Sequence, residues 1–545
     1  MELSMQDTGG RPGALGAEQP PPQAVRLPPP ERVRPRAFPG KNPQDLLQPP
    51  PRAASAKKKR GEPRATDQAG AEFQLSGPEA AELLRLLFGD RPEAPDVERW
   101  LDIGFQFSPL PGTEWGLWQR HGGPCGVFAP VQAFIVKHLL FCEAAESEDV
   151  ASRRRDQPLA VSGADEEDNR GPVLAHALAS VLFHATQMSS YVVCQVDPLP
   201  VAAGAPATTE AGAAAAAMTS GSGSGFTISG RRVSRAADAQ QLLEEGVDAW
   251  LAGPRGVLSF VCSVLLTRSL ASVREDMDDS GTPLIGRFGH CSQELVNLML
   301  LGEATSNLFD GTRWLGDDPS SGFLVKGVDS DRIGIPPIGF LSELEPMRYL
   351  QVGSLYKHPE YPLWVLGSPT HYTLIFSARR SDSQLSAEAE LEQKAKKVFV
   401  DSSIDEGGLA MATNLSKMLE DMGIGMDRLP QAQSELVREE IILWEDFRSW
   451  TCRQFGLSGG PAEAASQKLQ LFLYDGQDPP GPSLRAVALE LSDIDPLLAG
   501  GGSEGDAFAA TLHTRWPNAA VQVRPLAGAA VEGGAGHAPG TVTSM

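Results

Sequence analysis

The chain is 545 residues long and carries 47 Lys+Arg against 69 Asp+Glu, a formal net charge of −22. Residues 1–70 hold 12 of the basic and 7 of the acidic residues, so the rest is strongly acidic, which argues against nucleic acid as the main partner and suits a basic protein surface. No run of about 20 apolar residues is present to span a bilayer and the start lacks a signal-like apolar run, so a soluble protein without a membrane partner is expected.

The length allows about two to four domains, and one large core with insertions is expected. Residues 1–71 are rich in proline and lack hydrophobic periodicity, which predicts a disordered tail. Within it Lys57, Lys58, Lys59 and Arg60 form a candidate nuclear import signal, so nucleus and/or cytoplasm is the expected location. The six cysteines (Cys125, Cys142, Cys194, Cys262, Cys291 and Cys452) lie far apart with no CxxC or zinc spacing. They are expected as reduced thiols, with no metal and no cofactor.

From Glu72 the composition becomes that of a folded core. Ser76 and Glu79 have the spacing of a capping box ahead of Leu83, Leu84, Leu86 and Leu87, predicting a helix that ends near Gly89. An aromatic segment, 100–118, leads to the stretch with the most chemistry, 119–132. Gly122 and Gly123 allow a tight turn, Pro124 suits the first position of a helix, and Cys125 opens that helix. Val127, Val131, Phe134, Ile135 and Leu139 predict an apolar stripe that buries one face. A thiol at a helix N-terminus is set up as a nucleophile, although cysteine is also a common small core residue. Trp115 and Trp118 are candidates for lining the approach to it, with core packing the plainer role.

Residues 143–170 read as an exposed loop, 173–188 as a helix, 191–196 as a strand and 201–225 as a low-complexity insertion. A helix is expected over 240–251 and a buried one over 256–270. The run 289–302 predicts a helix with Ser292 or its neighbour as cap and Gly302 as stop. His290 and Cys291 stand at its start, but neighbours on one chain point apart, so a buried helix entry is the better reading. Residues 333–349 predict a turn and a helix.

Two strands follow, 363–368 and 370–377. In the second, Tyr372, Leu374 and Phe376 share one face and His371, Thr373 and Ile375 the other. His371 is the candidate general base for Cys125, because His121 shares the glycine turn and His138 the same helix. Residues 378–466 predict a charged helical insertion with helices near 395–399, 415–422 and 436–455. Residues 401–412 echo a calcium loop, but Glu406 replaces its glycine and Ala412 its bidentate glutamate, so tight calcium binding is not expected. The alternating run 469–475 predicts a strand ending at Asp475, a candidate to orient His371. Residues 525–545 are low in complexity.

Together the runs HGGPCGVFAPVQAF, QELVNLMLLGEATSNLFDG, PTHYTLIFS and TRWPNA resemble the MINDY deubiquitinases, in particular the branch with an EF-hand-like insert. The resemblance covers about residues 75–520. It implies an α+β fold in which a papain-like cysteine protease core, residues 72–377 and 467–524, is interrupted by an EF-hand-like helical insertion over 378–466. Disordered tails, 1–71 and 525–545, flank it. The implied activity is hydrolysis of lysine-48-linked polyubiquitin, with polyubiquitin chains and ubiquitinated proteins as partners. Carried over by position, Cys125 is nucleophile, His371 general base and Gln119, six residues before the cysteine, the oxyanion donor, while Asp475 is the candidate third member. The alternative is a non-catalytic ubiquitin-binding or scaffold protein with a degenerate EF-hand insert.

Overall fold

The computed structural model describes residues 70–141, 167–186, 190–199, 225–315, 323–383, 409–456, 467–477, 481–491, 507–516 and 519–527, with short runs inside 212–217 and 391–403. The expectations for the tail up to residue 69, the loop at 142–166, most of the insertion at 201–225, most of the calcium-like loop and the stretch after 527 fall outside the described residues.

The described chain begins with strand β1 (Ala71–Gln74) and helix α1 (Gly77–Phe88). The Ser76 hydroxyl accepts the Glu79 N–H while the Glu79 carboxylate accepts the Ser76 N–H, so both orphan donors of the first turn are satisfied. Gly89, at φ 80°, ends the helix. After α2 (Ala94–Leu101) comes α3 (Cys125–Phe141), with fourteen of its seventeen residues buried. It is encased on all sides rather than along one stripe: Gly126, Phe128, Ala129, Ala133 and Val136 fill the faces between the expected apolar positions.

Helix α4 (Glu167–Ala185) packs along α3 and starts earlier than expected, within the presumed loop. Strands β2 (Tyr191–Pro198) and β3 (Phe226–Val233) join β1 in an antiparallel sheet of order β1-β3-β2. Helix α5 (Ala236–Gly246) runs into a π-helical turn, Val247–Leu251, where one continuous helix was expected. Helix α6 (Gly256–Arg268) is again buried nearly all round, and it stops at Arg268 because Ser269, at φ 77°, leaves the helical region. The Ser269 hydroxyl then caps α7 (Leu270–Asp276), and Arg268 turns back to grip the Asp276 carboxylate at 2.7 and 3.0 Å.

Helix α6 also closes a sheet edge. Strand β2 lies at the end of its sheet, and its outward N–H groups have no strand partner there. Ser259, Ser263 and Thr267, spaced four apart on α6, accept the N–H groups of Val196, Cys194 and Val192 at 3.0, 2.9 and 3.0 Å. A helical row of hydroxyls thereby takes the place of a neighbouring strand.

Helix α8 (Gln293–Leu301) is capped by Ser292 and ended by Gly302 at φ 77°. A hairpin of β4 (Thr312–Leu315) and β5 (Phe323–Lys326) follows. The expected helix over 333–349 is a strand instead. One helical turn, Ser330–Ile333, is stopped by Pro336 and Pro337, and the apolar run after them forms β6 (Gly339–Ser342).

Strand β6 pairs parallel with β7 (Leu363–Gly367), which pairs antiparallel with β8 (Tyr372–Phe376). The chain then makes β9 (Leu409–Met411), α9 (Leu415–Met422) and α10 (Leu429–Leu436). The hairpin of β10 (Val437–Arg438) and β11 (Ile441–Leu443) precedes α11 (Trp444–Gln454). The single helix expected over 436–455 is therefore broken, with Glu439 and Glu440 at φ 51° and 69° making the turn. These elements share their own apolar core around Phe399, Met418, Ile442, Phe447 and Trp450.

Strand β12 (Gln467–Asp475) returns to pair with β8, aligning Phe472 with Phe376, Leu473 with Ile375 and Tyr474 with Leu374. Strand β13 (Ser483–Leu491), helix α12 (Ala507–His513) and β14 (Ala519–Ala527) complete a six-stranded sheet of order β14-β13-β12-β8-β7-β6. The last strand continues three residues past the expected boundary at 524. One face of the sheet packs on the helices through Leu374, Phe376 and Tyr474, the other on a second core where Trp364 meets Trp516 at 5.1 Å. No single helix among the described residues is long and apolar enough to cross a membrane.

The hydroxyl row generates a stability prediction. Ser263→Ala strips the Cys194 N–H of its acceptor in a buried site and is expected to cost about 1–3 kcal/mol. Gln241→Ala on the exposed face of α5 should stay within about 0.5 kcal/mol. Equilibrium urea unfolding of the three proteins checks the difference.

Candidate active site

The glycine turn positions the thiol. Gly123 sits at φ 127°, in a region that favours glycine, and a Cβ there would come within 3.1 Å of the Gly289 carbonyl. Cys125 follows Pro124 as the first residue of α3 and is 2% exposed, with its Sγ 3.7 Å from the Gly123 carbonyl. Gly126 is equally constrained: a Cβ would lie 2.6 Å from Cys291 Cβ. The start of α8 therefore presses directly on the first turn of the cysteine helix.

Cys291 is the surprise of this region. Its Sγ lies 3.7 Å from the same Gly123 carbonyl as Cys125, so two thiols share one acceptor. Burial, and secondarily Cys125, pushes the Cys291 thiol well above the ordinary range, which makes it inert as a nucleophile. It is buried as expected, and nothing in the sequence marked its closeness to Cys125.

His371 stands just before β8, and its Nε2 meets Asp475 Oδ1 at 2.9 Å. The sheet register explains the meeting. With Tyr474 opposite Leu374, the end of β12 that carries Asp475 lies beside the chain just before β8, where His371 stands. The Nδ1 atom is buried with no hydrogen-bond partner among the described residues, and the ring lies close enough to Cys125 for the two to interact. Burial disfavours the imidazolium, but the Asp475 carboxylate and then Cys125 outweigh it, and His371 is raised to about 10. For Asp475, burial works against the carboxylate, but the hydrogen bond and charge of His371, the Gln477 N–H at 2.9 Å and Arg485 outweigh it, holding the group below its usual range.

The signs of these shifts define a pH window. A histidine raised from 6.5 to about 10 stabilises the fold fully below 6.5, and that contribution is lost as pH rises through 10. The lowered Asp475 stabilises above the ordinary carboxylate value of 3.8, an effect lost as pH falls. The His371–Asp475 pair is thus an ion pair across the neutral range.

Gln119 is buried; its backbone N–H donates to the Gly476 carbonyl at 3.0 Å and its side-chain Nε2 donates to the His121 carbonyl. The amide is therefore held in the turn that carries Cys125. The structure brings Cys125, His371 and Asp475 together at the junction of α3 with β8 and β12, with Gln119 against the turn after β12. Of the rejected histidines, His121 stays in the turn before Cys125 and His138 lies elsewhere. His138 stacks on His176 at 4.1 Å and is lowered to about 4, chiefly by burial and then by His176 and Lys137. Trp115 is a core residue packed on Tyr474 and Phe376, whereas Trp118 is half-buried under Arg120. No group of three or more potential metal-ligating side chains occurs among the described residues.

Residues 84–396 match the family model described as "Deubiquitinating enzyme MINDY-3/4, conserved domain". The chain belongs to the MINDY-3/4 family. It is 31% identical to the ubiquitin carboxyl-terminal hydrolase MINDY-3 of Bos taurus over 80% of this chain and 95% of the relative. With the Homo sapiens MINDY-3 it shares 30% identity over 64% of this chain and 75% of the relative. A probable ubiquitin carboxyl-terminal hydrolase MINDY-4 of Mus musculus is 32% identical over 55% of this chain and 37% of its own length. No solved structure matches. Within the MINDY-3/4 match lie Gln119, Cys125 and His371; Asp475 lies beyond it and meets His371 in the fold.

Asp475→Asn is expected to remove the charge that holds the proton on His371. In an NMR pH titration of the imidazole, the wild type should stay protonated until about pH 10 and the variant should titrate well below it. Identical curves would remove Asp475 as the cause of the shift.

Proposed function

We propose that this chain is a cysteine isopeptidase that hydrolyses lysine-48-linked polyubiquitin, with Cys125 as nucleophile, His371 as acid and base, Asp475 as the group orienting His371, and Gln119 as oxyanion donor. The observation that carries the reading is His371 held between Asp475 and Cys125 with its free Nδ1 buried. A papain-like core suits this arrangement of a helix-borne thiol and a strand-borne histidine. The helices and the short β9–β11 pairing of the insertion suit a degenerate EF-hand-like module. Polyubiquitin and ubiquitinated proteins are the corresponding partners.

In the mechanism, the Cys125 thiolate beside the His371 imidazolium attacks the carbonyl carbon of the isopeptide bond between ubiquitin's terminal glycine and a lysine. The oxyanion accepts hydrogen bonds from the Gln119 amide and from the Cys125 backbone N–H, which as the first of a helix has no intrahelical acceptor. His371 gives its proton to the departing lysine amine, leaving a thioester. Water then attacks the thioester, His371 takes a proton from it, and ubiquitin leaves with a free carboxylate as the thiolate is restored. Throughout, Asp475 keeps the imidazole aimed and stabilises its cationic form.

The near-complete burial of Cys125 is the one observation that favours the alternative, a ubiquitin-binding protein without catalysis. An electrophilic ubiquitin probe and ubiquitin chains of defined linkage separate the two. The wild type is expected to form a covalent adduct at Cys125 and to cleave lysine-48-linked chains in preference to others, and Cys125→Ala to do neither. Gln119→Ala should lower kcat by about 10²–10³-fold. A wild-type protein that binds chains yet neither labels nor cleaves establishes the alternative.

A further inference from the structure

Gln132 lies two turns after Cys125 on α3 and is 2% exposed in a helix that is otherwise apolar where it is buried. Its Oε1 accepts the backbone N–H of Leu117 at 2.6 Å, and the carbonyl of the same Leu117 accepts the Tyr474 hydroxyl at 2.7 Å. Leu117 is two residues before Gln119, whose own N–H is taken by the Gly476 carbonyl. The segment that delivers the Gln119 amide is thus fastened on one side to the helix that begins with Cys125. On the other side it is fastened to the strand and turn that carry Asp475. Tyr474 lies close over Gly116, where a Cβ would meet its hydroxyl oxygen at 2.3 Å, and its ring packs on Trp115 with centroids 4.8 Å apart.

The other end of the Gln132 side chain has a different setting. Its Nε2 is buried and has no hydrogen-bond partner among the described residues. Gln132 borders a cavity of about 20 Å³, with Gln119, His371 and Gln477 also on its walls. That volume has room for one water. An unpaired buried donor destabilises a fold, and a methionine would fill the same space without one. Packing alone therefore gives no reason for an amide here, whereas the bond to Leu117 gives one.

We infer that Gln132 is a positioning residue for the oxyanion side of the site: through Leu117 it fixes the separation between the Gln119 amide and the Cys125 thiol. The inference rests on the hydrolase reading above and adds a residue outside the proposed reacting groups. Its effect belongs to the transition state, since the oxyanion exists only after attack. Loss of the bond should therefore lower kcat and leave KM in place.

The test compares wild type, Gln132→Met and Gln132→Glu in steady-state cleavage of lysine-48-linked tetraubiquitin and in labelling by a ubiquitin propargylamide probe. Addition of the thiol to an alkyne forms no carbonyl oxyanion, so labelling reports Cys125 and His371 without the oxyanion donors. Gln132→Met is expected to lose about 10- to 100-fold in kcat, with KM and probe labelling close to wild type and the melting temperature modestly lowered, because the buried Leu117 N–H loses its acceptor. Gln132→Glu keeps an oxygen acceptor for Leu117 and is expected to retain most of the activity. Wild-type kcat in Gln132→Met overturns the inference, as does a parallel loss of labelling, hydrolysis and thermal stability, which marks a merely structural residue. A Gln132→Glu variant as impaired as Gln132→Met also overturns it. Wild-type protein that neither labels nor cleaves defeats the hydrolase reading itself, and is told apart from these outcomes by the wild-type measurement.

Discussion

The contact between the His371 imidazole and the Asp475 carboxylate depends on the pairing of β8 with β12, and the arrangement of the site depends on that pairing. Residues 377–466 separate the two strands in sequence, yet Tyr474 lies opposite Leu374 in the sheet. The register is held by burial on both faces. Leu374, Phe376, Phe472 and Tyr474 face the helices, while Ile375, Leu471 and Leu473 face the second core. A slip of one residue would exchange these faces and turn Asp475 away from His371.

Against that sheet the cysteine helix is a rigid platform. Helix α3 is enclosed by α4 and α8 and by the sheet, so the thiol at its first position has little freedom beyond its own rotamer. Two glycines allow the close approach: Gly123 admits the Gly289 carbonyl and Gly126 admits Cys291. The site is therefore built where close packing leaves little room for a Cβ, and a larger residue at either position would displace the Cys125 thiol.

How much of this was legible in the sequence divides along the range of the forces involved. The Ser76 capping box, the Ser292 cap, the Gly302 stop, the turn before Cys125 and the alternation around His371 and Asp475 are local chemistry, and each is readable within a few residues. The apolar stripe of α3 is buried as read, but the reading missed that Gly126, Phe128, Ala129, Ala133 and Val136 on its other faces also meet protein. The helix expected over 436–455 failed because two consecutive left-handed residues, Glu439 and Glu440, carry no glycine signal. Cys291 beside Gly126, the hydroxyls of α6 on the edge of β2, and Gln132 on Leu117 are long-range contacts with no local mark at all.

The order of the site along the chain has a consequence for biosynthesis. The thiol is made early and its histidine some 250 residues later, and the carboxylate that holds the histidine charged comes only after the insertion has been synthesised. A ribosome-bound or truncated product ending before β12 possesses a cysteine and an imidazole but no anion to set them. Under the proposed function, reactivity is thus withheld from incomplete chains by topology.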